Sequence, residues 1–369
     1  MRALVTGGAG FIGSHIVDKL IQKGYKVKIL DNLEKPTHLD GKPDYIPKGV
    51  EFLIGDTRKI SDLEKALEKI DVIFHEAATG GFTLNISKYI DSNSLGTAKI
   101  FEVIIKKRLP IKKIVLASSV AVYGEGKYYC KKEGVVYPKQ RNAKDLQNAE
   151  WEVKCPKCQK NVRPILTDEE KPIDPQSMYS ISKYDQEKMS ILLGKQYNIP
   201  VTALRYFVTY GPRQSLFNPY TGVCSIFSTR ILNNLPPIIY EEGLQTRDFV
   251  YIEDVVEANI LALENSKANF EIFNVGTGQA VSIRNIAEKL IDLYGSNLKP
   301  EFPGSFRSAD VRHMMADISK IKKILGFKPK YTFDDGIKKY IEWIKSKKNI
   351  KEYFSEAQKK LEKNYIIRK

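Results

Sequence analysis

The 369-residue sequence lacks any apolar run of the roughly 18 residues that a helix needs to cross a bilayer. The first strand-like run begins at residue 3, which leaves no room for an amino-terminal signal segment. Internal repeats and low-complexity tracts are missing as well. We therefore expect a cytoplasmic protein that does not interact with membranes.

Cysteine is scarce, and the four in the chain are Cys130, Cys155, Cys158 and Cys224. Cytosolic thiols are kept reduced, so we expect no disulfide bonds. The composition is otherwise ordinary for a globular protein, at 42% hydrophobic and 28% charged residues. The chain is long for one core, which predicts a large domain plus a smaller portion.

Negative charge is in deficit, because the formal net charge is +15. Such an excess of positive charge can indicate nucleic-acid binding, but here the lysines are spread through every segment. Only residues 345–369 concentrate them, with nine Lys and Arg against three Glu. We interpret the excess as solvated surface and expect no nucleic-acid partner. The positive charge would, as a secondary benefit, also attract an anionic nucleotide.

A glycine-rich segment near the amino terminus joins the strand-like run Ala3–Thr6 to a helical pattern. Gly7 permits a tight turn, Gly10 lets a pyrophosphate approach the backbone, and Gly13 lets the helix pack against the strand. The free N–H groups at the start of the helix favour the binding of phosphate there. The segment predicts a dinucleotide site, against the alternative of a turn without ligand. The residues predicted to form it are Gly7, Gly10, Phe11, Ile12 and Gly13.

An acidic residue, Asp31, follows the second strand-like run, 18 residues after Gly13. This is about where a carboxylate that binds the adenosine ribose belongs. No arginine follows it directly, so we predict NAD rather than NADP as the cofactor.

Strand-like and helical patterns alternate from residue 1 to about 120. Such alternation implies right-handed crossovers and a parallel sheet, so we predict an α/β fold of the Rossmann type with a doubly wound sheet. We expect an NAD-binding domain over residues 1–205, a smaller mixed α/β substrate-binding portion over 206–345 and a basic tail over 346–369. The first five strands are predicted at Ala3–Thr6, Val27–Leu30, Glu51–Ile54, Val72–Phe74 and Ile114–Ser118.

Polar and small side chains follow the predicted strands at their carboxyl ends, where a doubly wound sheet binds its ligands. Each residue alone could be ordinary loop chemistry, but together they concentrate at one edge. They are Asp56, the small pair Ala77 and Ala78 within His75-Glu-Ala-Ala78, Asn93, and Ser118 with Ser119.

A polar insertion over residues 124–172 interrupts the alternation and holds three of the cysteines. Cys155-Pro-Lys-Cys158 is typical of half a structural zinc site, and Cys130 is a third candidate ligand. Glu133 is the candidate for the fourth position. The alternative is a loop with reduced free thiols; a redox pair is less favoured, because no thioredoxin-like unit surrounds the motif.

The next helical pattern, Ser177–Leu193, carries Tyr179 and Lys183. Residues four apart lie one above the other on a helix face. A nearby ammonium stabilises phenolate, so we expect Lys183 to lower the pKa of Tyr179 from about 10 toward neutrality. Such a tyrosine is suited to act as a general base on a sugar hydroxyl.

Two arginines in the carboxyl-terminal part, Arg247 and Arg312, are candidates to bind a nucleotide diphosphate. Either one could instead be a surface salt-bridge partner.

The chain resembles the extended short-chain dehydrogenase/reductases, and among them the NAD-dependent nucleotide-sugar epimerases and dehydratases. The resemblance covers roughly residues 1–345. It rests on these segments: Gly7-Gly-Ala-Gly-Phe-Ile-Gly13, Asp31-Asn32, Gly55-Asp56, His75-Glu-Ala-Ala78, Asn93 with Gly96-Thr97, Ser118-Ser-Val-Ala-Val-Tyr-Gly124, Tyr179-x-x-x-Lys183, Leu204-Arg-Tyr-Phe207 with Tyr210-Gly-Pro212, and Arg247-Asp-Phe-Val-Tyr251.

The resemblance implies a role for each matched residue. Tyr179 is the base, Lys183 its electrostatic partner that also holds the nicotinamide ribose, and Ser119 the hydroxyl that bonds the reacting sugar hydroxyl. Asn32 and Tyr206 join the cofactor site, and Thr79, Arg247 and Arg312 join Ser119 and Tyr179 in binding the nucleotide sugar. A homodimer is also implied.

The residues after Ser119 bear on the reaction. Family members that act on a neighbouring carbon usually carry an acid there, whereas this chain has Val120 and Ala121. The resemblance therefore implies inversion at C4 through a 4-keto intermediate. A dehydratase, a reductase or a non-catalytic NAD-binding protein are the alternatives. Val208 stands where the family often has Asn. The insertion and the segment 218–223 are most similar to those of dTDP-L-rhamnose 4-epimerases.

Overall fold

The structure is a computed structural model that describes residues 1–35, 37–39, 41–81, 83–216, 218, 222–307 and 310–368. The strands, in chain order, are β1 (Arg2–Thr6), β2 (Lys26–Asp31), β3 (Glu51–Ile54), β4 (Val72–His75), β5 (Lys113–Ser119), β6 (Lys127–Cys130), β7 (Gly134–Val136), β8 (Arg163–Ile165), β9 (Val201–Tyr206), β10 (Val208–Tyr210), β11 (Thr246–Arg247), β12 (Phe249–Tyr251), β13 (Ile272–Val275), β14 (Val281–Ser282), β15 (Phe306–Arg307), β16 (His313–Met314) and β17 (Ile367–Arg368).

Twelve α-helices lie in the described residues, together with short π and 3-10 turns. The helices are α1 (Phe11–Gln22), α2 (Ile60–Ala66), α3 (Ser87–Tyr89), α4 (Gly96–Lys106), α5 (Ala143–Gln147), α6 (Met178–Gln196), α7 (Val223–Leu232), α8 (Ile252–Glu264), α9 (Ile283–Leu293), α10 (Ser319–Leu325), α11 (Phe333–Lys345) and α12 (Phe354–Lys363). Within the described part of the chain, none of them combines the length and the apolar character that a membrane span requires.

Seven parallel strands form the central sheet in the order β13-β9-β5-β4-β1-β2-β3. The predicted doubly wound α/β fold is confirmed. The chain runs outward from β1 in one direction and returns at β4 on its other side. A crevice therefore opens between the carboxyl ends of β1 and β4, which is where such sheets bind ligands.

The strands are continuous apolar runs because both faces of the sheet are covered. In β1, Ala3 and Val5 belong to one core cluster, while Leu4 between them belongs to the cluster on the opposite face. Smaller two- and three-stranded sheets lie in the carboxyl-terminal part, as the prediction of a mixed α/β portion requires.

The polar insertion contains a sheet of its own, where the sequence indicates only an irregular interruption. Strands β7, β6 and β8 pair antiparallel in that order. We call these three strands the insertion sheet.

The carboxyl-terminal segment after residue 345 includes helix α12, whose Phe354, Ala357 and Leu361 are buried. Arg230 in α7 connects to it: one guanidinium nitrogen donates to Ser355 Oγ at 3.0 Å, and the guanidinium lies over the Phe354 ring. Part of the basic segment is therefore a packed helix, in which Lys359, Lys360 and Lys363 are exposed, and charge counting alone does not predict this.

Candidate active site

The glycine turn between β1 and α1 is packed so closely that side chains cannot be added. A Cβ on Gly13 would lie 2.3 Å from the carbonyl oxygen of Gly7. Gly7 has φ +68°, and a Cβ there would lie 2.8 Å from the backbone nitrogen of Ala77 after β4. The turn therefore brings the ends of β1 and β4 together and leaves a bare backbone surface at the crevice.

A cavity of about 470 Å³ lies along this turn. All the predicted cofactor residues except Asn93 line it, from Asp31 and Asp56 at one end to Tyr179 and Lys183 at the other. Thr79 lines it too. Its elongated lining and the glycine cradle fit a dinucleotide. A cofactor would therefore lie with its phosphates on the turn and its two ribose groups near the two ends.

Asp31 is held by the backbone around the turn. Its two carboxylate oxygens accept hydrogen bonds from the N–H groups of Ala9 and Leu33, at 3.0 and 2.9 Å. His38, which the sequence reasoning missed, lies 3.8 Å from the same carboxylate and lines the cavity. Burial lowers the pKa of His38, against the attraction of Asp31.

Asp56 at the end of β3 is fixed by Arg58 and Asn32. Arg58 donates from Nε at 2.9 Å and from Nη2 at 2.6 Å, and Asn32 Nδ2 donates at 3.2 Å. Burial raises the pKa of Asp56, but the hydrogen bonds from Arg58 and Asn32 outweigh it and lower the pKa to about 2. Asp56 is therefore ionised at neutral pH.

Asn93 supports the site from behind and does not line the cavity. It lies in a π-helical turn, Ile90–Leu95, that precedes α4. Its side chain accepts from Thr79 N at 2.7 Å and donates to Thr79 O at 3.1 Å and to Ser182 Oγ at 2.8 Å. It thereby fixes Thr79, which does line the cavity, to helix α6. A π-turn of this kind is common at functional sites because it re-aims one side chain.

Helix α6 presents the predicted catalytic pair to the cavity. The helix starts at a capping box, in which Ser177 and Ser180 each bond the other's backbone N–H. Tyr179, in the first turn, shares a hydrogen bond with Ser119, the last residue of β5. Ser119, Tyr179 and Lys183 thus come together from two elements.

The expected lowering of the Tyr179 pKa by Lys183 is wrong for these side chains. Burial raises the pKa of Tyr179, and only the hydrogen bond with Ser119 opposes this rise among the main contributions. The Lys183 ammonium instead donates to the carbonyl oxygen of Ala117 at 2.5 Å. Burial lowers the pKa of Lys183 to about 8, against the attraction of Glu76 and Glu187.

A buried chain of polar groups holds the end of β5. Ser118 Oγ donates to Glu187 at 2.7 Å, and Arg205 binds both oxygens of that carboxylate at 2.9 and 2.6 Å. Arg205 also donates to the hydroxyl of Tyr123, which donates to Asn274 Oδ1. These links cross three strands of the central sheet, so Ser118 and Ser119 are held rigidly against α6.

Glu76 is a second cavity residue that the sequence reasoning passed over, since the segment was considered only for its small residues. Its carboxylate is partly buried and accepts from the hydroxyl of Tyr206 at 3.0 Å. Burial raises the pKa of Glu76 from 4.5 to about 7, more than the Tyr206 hydrogen bond and Lys183 lower it. Glu76 therefore titrates near neutral pH.

Through Glu76, the cofactor-free protein loses stability as pH rises from about 4.5 to about 7, because the folded state keeps a proton that the unfolded state releases. His75, whose pKa burial lowers from 6.5 to about 3, contributes the opposite slope, so the Glu76 contribution is the difference between the unaltered protein and Glu76→Gln. That difference should be about 3 kcal/mol. Urea unfolding across this pH range measures it, with the exposed Glu68→Gln as the control. The same pH slope in both variants would contradict the assignment.

The two predicted substrate arginines are in different surroundings. Arg247 keeps 15% of its side chain exposed and lies 2.7 Å from the carboxylate of Asp310. Arg312 is fully buried and does not reach the cavity: it contacts Glu152, Glu241 and Glu242. The sequence around Arg312 does not reveal these three carboxylates, because they come from distant segments of the chain.

A second arginine near Arg247 was missed from the sequence. Arg307 lies over the Tyr240 ring, and its buried Nε has no hydrogen-bond partner within the described ranges. Burial raises the pKa of Asp310, but Arg247, Arg307 and Arg141 together lower it below the usual value. The potential around Asp310 is therefore positive.

A doubly wound sheet with Ser, Tyr and Lys at one end of a dinucleotide-sized cavity defines the extended class of short-chain dehydrogenase/reductase enzymes. Residues 3–143 match the NAD dependent epimerase/dehydratase family, and residues 161–340 match the GDP-mannose 4,6 dehydratase family. The chain belongs to the NAD-dependent epimerase/dehydratase family.

Relatives align over nearly the whole chain. A dTDP-L-rhamnose 4-epimerase of Burkholderia thailandensis is 33% identical, over 93% of this chain and 94% of that protein. The UDP-glucose 4-epimerase of Thermotoga maritima, solved with UDP-glucose, is 30% identical with a TM-score of 0.77, over 94% of this chain and 99% of that one. The UDP-glucuronic acid 4-epimerase of Bacillus cereus, solved with UDP-glucuronic acid and NAD, is 28% identical with a TM-score of 0.76, over the same shares.

Proposed function

We propose that this chain is a nucleotide-sugar 4-epimerase that inverts C4 of a nucleotide-linked hexose and uses NAD without consuming it. The observation that carries the proposal is the hydrogen bond between Ser119 and Tyr179, where Tyr179 and Lys183 line the end of the cavity. No acidic side chain follows Ser119, since Val120 takes that place. Dehydration or decarboxylation would need such a group for work on a neighbouring carbon.

The chain's own residues bind and orient the cofactor. The glycine turn receives the pyrophosphate, Asp31 the adenosine ribose, and Lys183 the nicotinamide ribose. Bound NAD⁺ would accept a hydride from C4, return it to the opposite face and place a positive charge near the phenol of Tyr179.

Proton transfer is the task of Tyr179. Its phenolate takes the proton of the sugar 4-hydroxyl, and the resulting phenol returns it after the ring has turned over in the pocket. Ser119 orients that hydroxyl through its bond to Tyr179. The lowered pKa of Lys183 leaves the ammonium charged at neutral pH, since about 8 lies above pH 7. Deprotonation of Lys183 should therefore reduce activity above about pH 8.

We propose that residues 206–345 bind the nucleotide end of the substrate, with Arg247 and Arg307 on its diphosphate. The positive potential around Asp310 and the unpaired Nε of Arg307 support this assignment. Arg312 has a different role: it pairs with buried Glu241 and with the partly exposed Glu152 and Glu242, and so joins the insertion to this portion.

Substitution separates the two arginines. Arg247→Met should raise KM for the nucleotide sugar by about 10- to 100-fold with little change in kcat, because diphosphate binding is made equally in ground and transition states. Arg312→Met should instead destabilise the fold by roughly 1–2 kcal/mol, because buried Glu241 keeps its pair with Arg141 while Glu152 and Glu242 are partly exposed. Steady-state kinetics and urea unfolding measure both. An unchanged KM in Arg247→Met would contradict the assignment.

A direct assay will identify the nucleotide base and the sugar of the substrate. The similarity to a dTDP-L-rhamnose 4-epimerase favours dTDP-L-rhamnose as the first compound to test, followed by UDP-glucose and UDP-glucuronic acid. Three residues of the segment 218–223 that contributed to this preference, residues 219–221, lie outside the described residues. NMR of the products should show the C4 epimer of one compound. A 4-keto-6-deoxy product would indicate a dehydratase instead.

A homodimer is also proposed. Apolar side chains are exposed on neighbouring helical segments: Ile90 and Leu95 in the π-turn and Ile181 in α6. Sedimentation equilibrium should give twice the chain mass of 42.0 kDa. A monomer at micromolar concentration would contradict the proposal.

A further inference from the structure

The insertion sheet brings three cysteines to one point. The sulfur atoms of Cys130, Cys155 and Cys158 all lie within 4.8 Å of one another, and those of Cys130 and Cys158 are 3.5 Å apart. Tetrahedral zinc, with Zn–S distances of about 2.3 Å, holds its sulfurs about 3.8 Å apart. Cys155 is completely buried and Cys130 nearly so. The spacing is therefore that of a metal-bound set, although the three residues come from segments 25 residues apart in the chain.

Two turns with the same layout carry these residues. The first joins β6 to β7 and runs Cys130-Lys-Lys-Glu133-Gly134; the second runs Cys155-Pro-Lys-Cys158-Gln159. In each turn a cysteine opens the turn and the fifth residue has a left-handed backbone, with φ +73° at Gly134 and +58° at Gln159. The fourth position is Cys158 in one turn and Glu133 in the other. Glu133 therefore occupies the equivalent of a ligand position.

The backbone points its N–H groups at the sulfurs. Cys130 accepts from the N–H groups of Lys132 and Glu133, and Cys158 accepts from that of Lys160. The second turn is closed by hydrogen bonds from Cys155 N to Lys160 O at 2.8 Å and from Gln159 N to Cys155 O at 3.0 Å. Such N–H groups would orient the sulfurs as outer-shell donors around a bound metal.

The insertion sheet has little else to stabilise it. Its core consists of Tyr128, Val136, Val153 and Val162 with two of the cysteines, and Cys158 packs against it. A sheet of three short strands with so small a core is marginal in water unless a metal or a disulfide reinforces it. The four cysteines are free thiols, so the reinforcement is not a disulfide.

We propose that Cys130, Cys155 and Cys158 bind one structural zinc ion, with Glu133 as the fourth ligand. Three thiolates and a carboxylate satisfy a closed tetrahedral site that leaves no position for substrate. Glu133 lies outside the cluster of sulfurs, 3.7 Å from the ammonium of Lys132 and 3.6 Å from that of Lys157, and its side chain must exchange these contacts for the metal. The ion holds the insertion against the substrate portion, where Glu152 contacts Arg312.

Metal content tests the site directly. Protein purified in reducing buffer without chelator should hold about one zinc per chain by mass spectrometry of the metals, and Cys155→Ser should hold less than about 0.2. Cys224→Ala removes the fourth cysteine, buried in α7 and outside the cluster, and should keep its zinc. X-ray absorption should show three Zn–S bonds of about 2.3 Å.

Two measurements keep the proposal falsifiable if Cys155→Ser does not fold. Chelator should lower the melting temperature of the unaltered protein by at least about 5 °C, and added zinc should restore it. Less than about 0.2 zinc per chain with no uptake on titration, or a Cys130–Cys158 disulfide seen as a mass loss of two hydrogens under reducing purification, would overturn the site.

Glu133→Gln tests the fourth ligand separately. It should weaken zinc retention against a competing chelator by about tenfold or more, because the amide carries no charge. An unchanged affinity would overturn Glu133 and assign the fourth position to water.

Discussion

Tyr179→Phe is expected to lower kcat by about a thousandfold, because it removes the phenol that takes the proton of the sugar. Binding of NAD should be unchanged, since the ring and its packing against Tyr89 remain. Turnover of the active nucleotide sugar and calorimetric titration with NAD measure the two effects. Tyr197→Phe, at the exposed end of the same helix, is the matched control and should be fully active.

The outcome is informative in both directions. If Tyr179→Phe keeps more than about a tenth of the activity, another group accepts the proton and the assignment of the base is wrong. If both NAD binding and activity are lost, the variant has disturbed the cavity, and Ser119→Ala becomes the test of the pair.

Gly13→Ala is expected to weaken NAD binding by about 100-fold or more, equivalent to about 2.7 kcal/mol. The added Cβ would lie 2.3 Å from the Gly7 carbonyl oxygen and 2.9 Å from the Gly7 carbonyl carbon, so the turn that receives the pyrophosphate must shift. Fluorescence titration with NAD measures the affinity.

Gly80→Ala is the control for this substitution. Gly80 lines the same cavity, but a Cβ there meets only the Tyr179 ring, at 3.8 Å, which is an ordinary contact. Affinity should stay within roughly threefold. Equal loss in both variants would show that any added methyl group in the cavity blocks the cofactor, and the argument from the turn would fail.

The fold was predictable because its sequence signals are local. The strand Glu51–Ile54 has the predicted bounds, and the other four predicted strands differ by one residue at one or both ends. The runs in β1 and β5 are apolar because helices cover both faces of the sheet, and their order along the chain indicates a parallel sheet. The glycine spacing between β1 and α1 then indicates where the ligand lies.

The rest depends on contacts between distant segments. The carboxylates around Arg312 come from residues 152, 241 and 242, so no local pattern shows that this arginine is already neutralised. Spacing of four on α6 placed Lys183 near Tyr179, but the carbonyl oxygen of Ala117, in β5, determines where the ammonium points. Asn93, predicted to bind the cofactor, hydrogen-bonds the backbone of Thr79, 14 residues away in the chain, and no local pattern shows this contact.

A deuterium label at C4 of the substrate tests the proposed inversion at C4 most directly. The nucleotide sugar that the enzyme converts is prepared with deuterium at C4 and incubated with the enzyme in ordinary water. If the hydride leaves C4 and returns to C4 within one pocket, the product is the C4 epimer. It should retain its deuterium at C4, and NADH should not accumulate. Loss of the label to solvent, a 4-keto-6-deoxy product or NADH formed in proportion to product would contradict the account.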